Sequence, residues 1–75
     1  MLKKRSLSLS GHATSIALEP EFWAVLDARA ETEGLSLAGL VGRIDAVRGR
    51  RPLASACRVA ALAWVQAPVV PISEA

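Results

Sequence analysis

The chain has 75 residues, 52% of them hydrophobic, and a net charge of +2 at pH 7. That length allows one small domain, and a domain of that size hides so much apolar surface poorly by itself. No uninterrupted apolar run approaches the ~20 residues of a membrane-spanning helix, so composition predicts an obligate homodimer with a shared core and no membrane partner.

Met1-Leu2-Lys3-Lys4-Arg5 has the charge of a secretory leader, but Ser6 to Gly11 alternates where a leader would be uniformly apolar. A cytoplasmic location is therefore expected. Residues 1–12 read as a basic N-terminal arm or an extra strand: Leu7 and Leu9 share one face, and Ser6, Ser8 and Ser10 the other. Lys3, Lys4 and Arg5 are candidate phosphate contacts that would raise affinity for any nucleic-acid sequence.

Residues 13–48 read as the domain core. From Ala13 to Leu18 a short strand is expected, with Thr14, Ile16 and Leu18 turned inward and Ala13, Ser15 and Ala17 outward. Pro20 suits the first turn of a helix, and Glu19 and Glu21 suit its positive end. Phe22, Val25, Leu26 and Ala30 form its apolar stripe, widened by Trp23, and Gly34 fits its C-cap. Ser36 fits the N-cap of a second helix with a stripe of Leu37, Leu40, Val41 and Ile44. Gly39 and Gly42 weaken that helix intrinsically and would admit a close neighbour.

Residues 49–67 read as a loop and a third helix, Leu53 to Gln66, apolar nearly all round and therefore buried or packed on a partner. Arg48, Arg50 and Arg51 before it are a second candidate phosphate site, or they satisfy the carbonyls ending the second helix. Asp45 and Arg58 are expected to pair between the second and third helices. Trp23 and Trp64 are expected in the core or at a dimer interface. Residues 68–75, broken by Pro68 and Pro71, read as an extended tail.

A single short strand needs a partner for its backbone groups. The expected fold is therefore mostly α with one short β-strand, paired with the same strand of a second copy into an intermolecular antiparallel ribbon above the helices. Ile16, Leu18, Phe22, Trp23, Leu26, Leu40, Val41 and Ile44 are the expected core of that intertwined homodimer.

Catalytic chemistry is not expected: there is no Ser/His/Asp set on a plausible scaffold and no phosphate-binding glycine loop. Asp27 and Glu31, one helical turn apart, read as a solvated face. One histidine, His12, and one cysteine, Cys57, exclude an intrachain disulfide and argue against a metal site or other cofactor. Cys57 reads as a small buried hydrophobe.

Lys4-Arg5-Ser6, Ser10-Gly11-His12, Thr14-Ser15-Ile16, Leu18-Glu19-Pro20-Glu21-Phe22-Trp23, Gly34-Leu35-Ser36-Leu37, Ile44-Asp45, Leu53-Ala54-Ser55-Ala56 and Arg58-Val59 carry a family resemblance. Residues 4–66 resemble the small alphaproteobacterial ribbon-helix-helix domain family, a branch related to the Arc and MetJ type repressors. The resemblance implies a homodimeric transcriptional regulator that inserts a β-ribbon into the major groove of double-stranded DNA. It sets Ala13, Ser15 and Ala17 at the base-facing positions. The start of the second helix, Ser36-Leu37-Ala38, falls where amides grip a phosphate.

One departure counts against DNA reading. Alanine at two of the three base-facing positions removes bidentate hydrogen bonding, roughly 1–3 kcal/mol of discrimination per lost pair. The alternative is a dimeric protein-interaction module, or an antitoxin-like binder of another protein through the C-terminal helix, with weak or no DNA binding.

Overall fold

The computed structural model describes residues 1–66. Two strands, β1 (Lys3–Leu9) and β2 (His12–Leu18), precede three helices, α1 (Pro20–Glu33), α2 (Leu37–Val47) and α3 (Leu53–Gln66). The tail expected over residues 68–75 lies outside the described residues.

The expectation of one strand is corrected: β1 and β2 form an antiparallel hairpin within the chain, in register from Lys3 opposite Leu18 to Leu9 opposite His12. The turn explains why. Ser10 and Gly11 both have positive φ, 51° and 81°, as a two-residue type I′ turn requires at its central positions, and such turns match the right-handed twist of the strands they join. Each residue of β2 therefore finds its first backbone partner three to fifteen residues upstream in its own chain.

Side-chain alternation then gives the hairpin two unlike faces. Leu9, Ile16 and Leu18 are buried, and Leu7 packs beside them against the helices. β1 lies against α2 and β2 against α3. Trp23, Leu26, Ala30, Leu40, Val41, Ile44, Ala56, Cys57 and Ala61 complete the core. Seven of the eight residues expected in a shared dimer core are thus buried within one chain, and Phe22 is partly buried at its margin.

The helix ends follow from local chemistry. Pro20 opens α1, and Gly34, in the left-handed conformation at φ 68°, closes it with its amide on the Ala30 and Glu31 carbonyls. Ser36 caps α2, its Oγ accepting from the Gly39 amide at 3.0 Å. A β-carbon at position 39 would stand 3.2 Å from that Oγ, so Gly39 makes room for the cap rather than for a neighbouring helix. Among the described residues, nothing beyond its chain neighbours and its own helix backbone comes within 4 Å of a β-carbon built at Gly42.

Trp23 ties the hairpin to α1. Its ring is buried, and its Nε1 donates to the Lys3 carbonyl at 2.7 Å. The Arg5 guanidinium lies over that ring, 4.7 Å from its centre, and donates to Asp27 at 3.1 Å. Trp23→Phe keeps most of the apolar contact but leaves the Lys3 carbonyl without its indole donor. It should cost about 1–2 kcal/mol in chemical denaturation. Unchanged stability would show that this bond does not hold β1 down.

Candidate nucleic-acid interface

The outward face of the hairpin carries Lys4, Ser6 and Ser8 from β1 opposite Ala17, Ser15 and Ala13 from β2. All are exposed except the half-buried Ala17. Ser6 and Ser15 share a hydrogen bond between their hydroxyls, 3.2 Å apart. β1 thus sets two further hydroxyls and an ammonium beside the alanine-rich positions of β2. The surface is flat, small-featured and polar, with no carboxylate among its six side chains.

The three N-terminal cations are not one patch. Lys4 faces outward with the serines, whereas Lys3 and Arg5 lie toward α1 beside Pro20, Trp23 and Asp27. Arg5 is already neutralised by Asp27. Its pair is about half exposed on both sides, so it contributes little to stability, on the order of 1 kcal/mol or less.

At the start of α2, Ser36 is exposed, and Leu37 and Ala38 are half-buried. The first-turn amides of any helix lack an i−4 carbonyl and carry the positive end of the dipole. The Ser36 hydroxyl takes the Gly39 amide, and the Leu40 amide bonds the Ser36 carbonyl. Leu37 and Ala38 are left as the amide pair that can meet an anion.

The arginines after α2 are unequal. Arg48 is held by Asp45 at 2.6 Å and by the Arg51 carbonyl at 2.8 Å. It ties off the end of α2, while Arg50 and Arg51 are exposed. The expected Asp45–Arg58 pair is corrected on both sides. Asp45 takes Arg48, and Arg58 reaches back to Glu19 at 2.9 Å. Arg58 also lies 5.9 Å from the centre of the Phe22 ring. Sequence reasoning missed this clasp between the start of α1 and α3, because it depends on how the two helices are rotated.

Glu19 is the N-cap of α1 but makes no side-chain cap; its carboxylate is spent on Arg58. That hydrogen bond, helped by a backbone bond at Glu19 itself, holds its pKa below the ordinary carboxylate range. Burial pushes the Cys57 thiol up, keeping it neutral in the core. Among the described residues, no group of three His, Cys, Asp or Glu side chains could hold a metal ion. No helix there is long and apolar enough to cross a membrane.

A lowered folded-state pKa means that the Glu19–Arg58 contribution is present above the unfolded carboxylate value and is lost as pH falls through the folded one. Arg58→Gln should therefore lower stability near neutrality and shrink the loss on acidification. Thermal melts of both proteins across the acid range check this. Parallel pH profiles would show that the clasp carries no linkage.

Residues 2–65 match the family model described as the ribbon-helix-helix domain, so the chain belongs to that family. No curated protein and no solved structure gives a significant match. Ribbon-helix-helix domains generally bind DNA as dimers and are typically regulators rather than enzymes.

Proposed function

We propose that this ribbon-helix-helix chain is a homodimeric transcriptional regulator that lays its hairpin in the major groove of double-stranded DNA. The observation that carries the reading is the outward hairpin face: Lys4, Ser6, Ser8 and Ser15 stand around Ala13 and Ala17. The alanines let the ribbon sit deep and touch thymine methyls, and the hydroxyls and ammonium supply hydrogen bonds to base edges and phosphates.

The dimer forms along the edge of β2. One edge of β2 lies on β1, and the other has no strand partner among the described residues. An open edge is a template for another strand. The β2 of a second copy, antiparallel across a two-fold axis, extends the hairpin into a four-stranded ribbon. The same axis doubles the Ser36-Leu37-Ala38 helix starts, whose amides take phosphates on both sides of the groove. Symmetry of this kind calls for a palindromic site. Lys3 and the exposed Arg50 add affinity that does not depend on sequence. A cytoplasmic location follows from this role.

Ser15→Glu tests the face directly, since Ser15 is exposed and the change leaves the core alone. It should abolish binding to labelled duplex DNA while circular dichroism stays unchanged. Lys4→Ala should lower the slope of log affinity against log salt by about 1. Full binding by a folded Ser15→Glu protein would remove the hairpin from the interface.

A further inference from the structure

A groove of about 650 Å³ opens between α2 and α3, with no residue of the hairpin in its lining. Its apolar wall is Leu40, Ile44 and Val47 from α2 with Val59, Ala60 and Trp64 from α3. Val47 is 83% exposed and Val59 46%, so large apolar side chains stand open to solvent there. The stretch from Ala56 to Trp64 runs about 12 Å along α3 at 1.5 Å per residue, enough for roughly two turns of a docked helix.

The rim is basic. Arg43, Arg48 and Arg51 line it with a single carboxylate, Glu33. Glu33 is shared between Arg43, at 3.1 Å, and Arg29. Arg29 also lies 5.0 Å from the centre of the Trp64 ring, which brings a fourth guanidinium to that end. Counting Asp45, which holds Arg48, two carboxylates face four guanidinium groups. Arg51 has no side-chain partner among the described residues, and the Arg43 side chain is 65% exposed.

We propose that this groove is the docking site for an acidic amphipathic helix of a second protein. Such a helix lays its apolar stripe along the wall, and its Asp and Glu side chains meet Arg51 and the net positive charge that Glu33 and Asp45 leave on the rim. Charge decides between occupants. A second copy docked here across a two-fold axis would set one arginine rim against another, and nucleic acid has no use for the apolar wall. The proposal stands apart from the DNA reading, because the groove and the hairpin face share no residue.

The test is selection of a phage-displayed library of random helical peptides on the full chain, repeated on the double variant Arg43→Glu, Arg51→Glu and on Val59→Glu. All three changes fall on exposed positions. Retained peptides should combine an apolar stripe with an excess of Asp and Glu. Their affinity should fall about tenfold or more on each variant, while sedimentation shows an unchanged oligomeric state. Peptides without an acidic excess, affinity unmoved by the double variant, or no retained peptide at all would overturn the proposal. Dissociation of the oligomer by Val59→Glu would overturn it too, by assigning the groove to a second copy.

Discussion

A two-stranded ribbon has one face to bury and one to spare, and that constraint organises the rest of the molecule. Strand backbone groups need partners. The left-handed pair Ser10 and Gly11 lets β1 return onto β2 and supply them locally. Once the register is set, alternation commits Leu7, Leu9, Ile16 and Leu18 to the helices. A slip of one residue would turn all of them to solvent. The helices are placed by that inner face, with α2 under β1 and α3 under β2. Trp23 joins the first helix to the start of β1. The outward face is what remains, and its small polar side chains follow from the same alternation.

The helices were legible because their signals are local. Pro20, Gly34 and Ser36 each do the work that their residue types imply, and α3 runs over the expected Leu53–Gln66. In the sequence, residues 1–12 fit a basic arm as well as an extra strand. Its signal was present all the same: two alternating runs separated by Ser10-Gly11 are the mark of a two-residue hairpin. The apolar composition favours pairing between molecules. One chain nevertheless buries most of the residues assigned to a shared core.

What depends on relative helix orientation was not legible. Asp45 and Arg58 lie on the expected helices, yet Arg58 selects Glu19, 39 residues away in the chain. Spacing along a helix says which residues share a face, not which face a neighbouring helix presents. For the same reason the groove between α2 and α3 left no trace in the pattern beyond the excess apolarity of α3. Its arginines read as a phosphate site when taken as a run. In three dimensions Arg48 is spoken for by Asp45, and Arg51 stands beside an apolar wall. At the candidate interface, the outward positions of β2 were read from alternation alone. The contribution of Ser6 and Ser8 became visible only with the hairpin register.

The central claim is that the outward hairpin face reads DNA as part of a two-fold dimer. Its most direct test is retention of sheared genomic DNA by the purified protein, with the bound fragments sequenced after washes at low and at near-physiological salt. The account predicts a few fragments that share a palindromic or repeated motif and survive the higher salt. Uniform retention lost as salt rises would mean charge-driven binding alone, and no retention at either salt would mean that the face does not read DNA; either result contradicts the claim.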